Sequence, residues 1–126
     1  MPIRYTIDHK SRTVEATWSG QVSAEDWAKF IEDMRAEGLA SYAKLHDLSQ
    51  ASVDVSAAQI RDLARQVNAV ADDQPLGPAA FIIDSARALE LVMLFEDGTA
   101  SSIRPIAIFP SRELAAEWLD GVKLRS

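Results

Sequence analysis

Cysteine is absent from the 126 residues. That excludes a disulfide framework, a thiolate zinc site and a cysteine nucleophile, and it fits a reducing compartment. Histidine is nearly as scarce: His9 and His46 are the two copies, and neither His-x3-His nor His-Glu-x-x-His spacing occurs. The usual nitrogen ligands of a metal site are therefore missing. Basic residues number 13 against 19 acids, for a formal net charge of −6. No basic face is expected for nucleic acid or for an anionic bilayer. No run approaches the ~18 apolar residues of a membrane span, and the opening MPIRYTIDHK has no apolar signal core. Glycine-rich phosphate loops are missing too, since DQPLGP is neither a Walker sequence nor a dinucleotide fingerprint. These absences point to a cytoplasmic protein with no cofactor, no membrane insertion and no nucleic-acid partner.

What is present is ordinary globular material, 48% hydrophobic and 25% charged. The length is that of one domain, residues 1–126. Such a chain buries enough surface to fold without a metal or disulfide.

Periodicity sets out the elements. IRYTID, 3–8, alternates Ile3, Tyr5 and Ile7 against Arg4, Thr6 and Asp8, and TVEATWSG, 13–20, alternates Val14, Ala16 and Trp18. Period-2 patterns with one polar face predict half-exposed antiparallel strands, joined by the polar turn DHKSR. Ser23 opens a helix over 24–37: Asp26 stands at capping-box spacing, and Val22 and Trp27 at the two staple positions. Trp27, Phe30, Ile31 and Met34 form its apolar stripe, and Gly38 supplies a stop. YAKLHDL, 42–48, is a short strand. Ser56 opens a second helix to about residue 71, with Gln59 completing a capping box and Val55 and Ile60 a second staple.

After the loop DDQPLGP, 72–78, the apolar run AAFIID, 79–84, has the character of a strand covered on both faces. A third helix, ARALELVMLFED, follows, then the loop EDGTASS, 96–102. The strand IRPIAIF tolerates Pro105 near its start. Ser111 caps RELAAEWLDG, whose stripe is Leu114, Ala115, Trp118 and Val122. The order ββαβαβαβα implies an α/β fold: parallel crossovers after an antiparallel hairpin, in one mixed sheet with helices packed on it. Strand order does not follow from the pattern. Trp18, Trp27 and Trp118 are expected in or near the core.

That order, TWSG at the end of the second strand, and DLSQASVDVSAAQI together resemble the STAS-like fold of the anti-sigma-factor antagonists, also called SpoIIAA-like. TWSG…SAEDW and HDLS are most similar to small stand-alone bacterial proteins of that group. The resemblance spans nearly the whole chain. It implies a non-catalytic regulatory module that binds a protein partner. In the phosphorylatable antagonists a strand ends in an Asp-Leu-Ser-like turn, matched here by Asp47-Leu48-Ser49. An Asp-Ser-Ser-Gly motif then opens the next helix, and its first serine, the phosphorylated one, corresponds to Ser56. Val55 stands in place of the motif's aspartate, with Asp54 one position earlier, and Ala57 and Ala58 replace the second serine and the glycine.

The expected partner-binding or phosphoswitch residues are therefore Asp47, Ser49, Asp54 and Ser56. Ser56 also has a plain local role as a helix cap. A triad of Ser49, His46 and Asp47 is excluded because adjacent strand residues point to opposite faces. No other catalytic constellation is visible, and the chain is not expected to be an enzyme. Asp84, Ser85 and Ser111 are expected as plain helix caps.

Helix three is apolar around too much of its circumference for a solvent-facing element. Leu91, Met93, Leu94 and Phe95 are the candidates for that surplus surface. Either the helix is deeply buried under the C-terminal segment, or this surface pairs with a second copy of the chain as a homodimer or lines a pocket between helix three and the sheet for a small apolar ligand or lipid. The STAS-like fold is similar to the lipid-carrying CRAL-TRIO fold, which favours the pocket.

Overall fold

The computed structural model describes residues 2–99 and 104–125. Its elements are β1 (Ile3–Asp8), β2 (Thr13–Ser23), α1 (Ala24–Ala36), β3 (Ala43–Asp54), α2 (Ala57–Asp73), β4 (Ala79–Ile82), α3 (Ala86–Gly98), β5 (Ile106–Phe109) and α4 (Arg112–Arg125). The order ββαβαβαβα is that expected from the periodicities. The five strands form one sheet in chain order, β1-β2-β3-β4-β5. β1 and β2 pair antiparallel, and every later pair is parallel.

The helices divide unequally between the faces. Val14, Ala16 and Trp18 of β2, Leu48 of β3, and Ala79 and Phe81 of β4 join the buried residues of α1, α2 and α3 in the larger core. Ala43 and Leu45 of β3 and Ala80 and Ile82 of β4 face the other way, against Ala115 and Leu119 of α4. β4 is thus apolar on consecutive residues because helices cover it on both sides.

Both capping boxes form: Ser23 with Asp26, and Ser56 with Gln59. Val22, Trp27, Val55 and Ile60, the staple residues, are buried. Past the C-cap of α1, Gly38 takes φ +71°, a left-handed turn that L side chains disfavour. It lets Leu39 N donate to Met34 O at 2.8 Å, closing the helix with a Schellman bond. At Gly98 a Cβ would lie 2.7 Å from the Ala64 Cβ, so α3 passes α2 at a distance only glycine permits.

The sequence reading needs three corrections of extent. β2 continues past Gly20 to Ser23, and β3 continues past Leu48 to Asp54. The register between them slips from Thr17↔Asp47 to Ser19↔Gln50. Asp47-Leu48-Ser49 is therefore a β-bulge carrying one extra residue of β3, and not the end of the strand. Asp47 Oδ1 holds it by accepting from Ser49 N (3.0 Å) and Ser49 Oγ (2.6 Å). In α4 the buried positions are Ala115 and Leu119, while Leu114 is 49% exposed. The stripe lies one residue round from the expected one, because α4 packs on small residues of β3 and β4. β5 begins at Ile106; Ile103 and loop residues 100–102 lie outside the described residues.

α3 sorts its apolar residues sharply. Leu91 and Phe95 are each 1% exposed, whereas Met93 is 50% and Leu94 38% exposed. Leu91→Ala should cost about 2–5 kcal/mol by urea denaturation. Leu94→Ala should stay within about 1 kcal/mol, and equal costs would contradict this orientation of α3.

Candidate functional site

The extension of β3 divides the sequence candidates into two groups. Eight residues separate Asp47 from Ser56, most of them extended, at ~3.3 Å each. At the bulge, Arg112 of α4 lies 3.6 Å from Asp47 and 3.2 Å from Glu15 of β2, so the Asp47 carboxylate faces α4 and is already paired. At the far end of β3, Asp54 accepts from Gln21 Nε2 at 3.2 Å. There Ser56 Oγ accepts from Gln59 N (3.1 Å) and Gln59 Oε1 accepts from Ser56 N (2.9 Å). Ser56, Ala57, Ala58 and Gln59 are all exposed, so the serine hydroxyl sits at the surface on a helix N-terminus. A basic group also reaches this junction: Arg87 of α3 donates from Nη2 to Val55 O at 3.2 Å, with its Nη1 3.7 Å from Glu90. Nothing in the spacing of the sequence ties position 87 to position 55; the α2–α3 packing does so.

The four apolar candidates on α3 separate as well. Leu91 packs in the core, and Met93 and Leu94 face outwards beside Leu89, itself 40% exposed. Phe95 alone of the four lines a cavity. That cavity is not under α3 but between α1, α2 and the sheet. Trp27, Phe30 and Met34 of α1, Val67 and Val70 of α2, Phe81 of β4 and Phe95 form its apolar wall.

Three nitrogenous side chains break that wall: Lys44, His46 and Arg104. Lys44 and His46 stand two apart on β3 and face the larger core, an inward position that period-2 alternation from Ala43 and Leu45 assigns to a buried side chain. Lys44 is 3% exposed. Its Nζ donates to Leu39 O (2.6 Å), Ala40 O (2.6 Å) and Tyr42 O (2.7 Å), the backbone that leaves α1. Burial, and then the Arg104 charge, push its pKa down to about 7. The three carbonyls oppose this, because a neutral amine has only two protons to give them. The cage therefore favours the ammonium at neutral pH.

His46 is buried between rings. It stacks on Phe81 at 4.5 Å and meets Phe30 and Trp18 edge-on. Trp18 Nε1 donates to its Nδ1 at 3.2 Å. Burial first, then Arg104 and Lys44, push its pKa down to about 3. It is accordingly neutral, and with Nδ1 accepting, its proton is on Nε2. Arg104, just before β5, carries a buried Nε that has no hydrogen-bond partner among the described residues. Burial lowers its pKa to about 10, so the guanidinium stays charged. Asp47 lies on the opposite face of β3 from His46, which disposes of the triad geometrically. Among the described residues no group of three or more His, Asp or Glu could hold a metal ion, and no helix is long and apolar enough to cross a membrane.

Sequence reasoning passed over Lys44 and Arg104. The legible signal was Lys44, a cation at an inward strand position; the approach of Arg104 to it depends on β5 lying beside β4.

No family model and no curated protein matches the sequence. Solved structures do match its fold. An uncharacterised protein from Shewanella loihica with a SpoIIAA-like fold aligns at TM-score 0.59 and 13% identity, over 93% of this chain and 91% of that one. The anti-sigma factor antagonist SpoIIAA in its unphosphorylated form aligns at 0.56 and 15%, over 94% and 98%. An anti-sigma factor antagonist from Mycobacterium paratuberculosis aligns at 0.52 and 13%, over 94% of each chain. The chain has the SpoIIAA-like, STAS-like fold that its element order and motifs suggested.

The buried imidazole makes stability depend on pH. The unfolded histidine titrates near 6.5 and the folded one at about 3, so between these values the unfolded state holds the extra proton. His46 is then neutral at no cost above pH ~6.5 and destabilises the fold progressively below it. From pH 7 to pH 4 the wild type should lose on the order of 2–3 kcal/mol more than His46→Gln, which keeps an acceptor for Trp18 without a titrating group. Equal losses in chemical denaturation would mean that His46 is not buried as a neutral ring.

Proposed function

We propose that the chain is a regulatory, protein-interacting module that docks a partner protein through the junction of β3 and α2, centred on Ser56. The observation that carries this reading is the surface placement of Ser56 as a complete helix cap. The first turn of α2 has no acidic side chain, and the Arg87 guanidinium is held at the carbonyl of the preceding residue. Free N–H groups, the helix dipole and a guanidinium together favour a negative charge. That charge can be an acidic side chain of the partner or a phosphoryl group on Ser56 itself. The likeness of the whole fold to anti-sigma factor antagonists supports a protein partner over a substrate. Asp54 belongs to the same junction. Asp47 and Ser49 contribute to it indirectly, by holding the bulge that sets the course of β3.

A phosphoryl group here does not require the cap to be lost, because phosphate oxygens accept from the same N–H groups as the hydroxyl. The switch would therefore act by changing the charge of the docking surface while α2 stays folded.

A photo-crosslinking residue at Ala58 should trap a protein partner in cells expressing the chain, whereas one at Glu117, on the helix of the opposite face, should not. Ser56→Asp and Ser56→Asn both keep a capping acceptor and differ in charge. The Asp variant should change the yield by about tenfold, with the Asn variant close to wild type. Equal trapping from both faces would place docking elsewhere on the molecule.

A further inference from the structure

The cavity between α1, α2 and the sheet has an electrostatic asymmetry that neither its packing nor the docking surface requires. Every charged or titratable side chain in its wall is nitrogenous, namely Lys44, His46 and Arg104, and none of the lining residues carries a carboxylate. Lys44 spends its three protons on backbone carbonyls. Arg104 differs, with its Nε buried and no ion pair or hydrogen bond recorded for it among the described residues. A buried guanidinium nitrogen without a partner is costly, and the planar fork that carries it matches a carboxylate better than any other common anion. The side chain is otherwise half-buried and also borders an outer groove with Glu96 and Asp97. The remaining wall is Trp27, Phe30, Phe95 and aliphatic side chains, so the occupant must also present apolar surface.

Volume limits its size. The space is about 40 Å³ and partly open. At ~10–15 Å³ of such space per water molecule, this is the room of about three waters, too little for an acyl chain. We propose that the cavity is a binding site for a short monocarboxylate of roughly two to four carbons, its carboxylate on Arg104 and its tail against Trp27 and Phe30. The Nε2–H of His46 and the field of the Lys44 ammonium favour the same orientation, with the negative end towards the sheet and the apolar end towards α1. The site lies towards the amino ends of the parallel strands, whereas Ser56 follows the carboxyl end of β3. The two surfaces are therefore separate, and this inference does not depend on the docking role.

The probes are propionate, propan-1-ol as its uncharged counterpart, and inorganic phosphate, each titrated into the full chain by calorimetry and by amide and indole NMR. Propionate should bind saturably and shift the Trp27 indole N–H, with propanol and phosphate at least about tenfold weaker. Arg104→Met should weaken propionate by at least about tenfold while melting no lower than wild type without ligand, because it removes a buried donor that has no hydrogen-bond partner among the described residues. Val67→Phe, which fills the same space and leaves Arg104 in place, should also abolish binding. Propanol or phosphate binding as well as propionate, propionate binding unchanged in both variants, or no saturable binding would each overturn the proposal.

Discussion

Three carbonyls that leave the end of α1 converge on one ammonium. Leu39, Ala40 and Tyr42 lie in the segment that carries the chain from α1 into β3, and Leu39 and Ala40 are buried. Buried backbone acceptors must be satisfied, and Tyr42 N (to Leu39 O, 3.1 Å) and Gly77 N (to Ala40 O, 2.9 Å) do this only in part. Lys44 completes it from inside the sheet, at 2.6–2.7 Å, and so ties the C-terminal end of α1 to the third strand. The cation also sits favourably near the negative end of the α1 dipole. Much else follows from this placement. With Lys44 facing the larger core, His46 must face it too, and Asp47 must face α4.

The same constraint sets the character of the interior. Burial first, and then the charges of Arg104 and Lys44, keep His46 neutral, and the Trp18 bond to Nδ1 leaves its proton on Nε2. The aromatic cluster of Trp18, Trp27, Phe30, Phe81 and Phe95 is thus organised around a neutral polar ring and bordered by cations. An apolar side chain in place of Lys44 would remove one donor from each of three carbonyls, two of which, Leu39 O and Ala40 O, keep a backbone N–H partner. Lys44 thus both lines the cavity and braces the α1–β3 connection.

At the opposite end of the sheet the logic is local. Ser56 and Gln59 satisfy each other's backbone partners, Val55 and Ile60 staple the entry, and the first turn of α2 is left bare of acids. This end asks nothing of the distant core, and it can change its surface charge without disturbing the packing. The fold therefore separates a cation-bearing interior from an exposed helix start.

The element order, both capping boxes, both staples and the two-sided burial of β4 were legible in the residues, because each rests on contacts within about one turn or on strand alternation. The course of β3 past Leu48 was not. The pattern of Ser49 to Asp54 is weak by itself, and the residues become a strand because β2 continues alongside them, with a bulge absorbing the mismatch. The outward turn of Leu114, Met93 and Leu94 likewise depends on which neighbour each helix meets. The polar half of the cavity was the least visible part. Lys44 carried a hint, as a charge at an inward strand position, but Arg104 lies 60 residues on and meets it only through the parallel order β3-β4-β5. Local hydrogen bonds and periodicity determined the elements and their caps; long-range strand pairing decided which charges share a space, since no sequence separation encodes that distance.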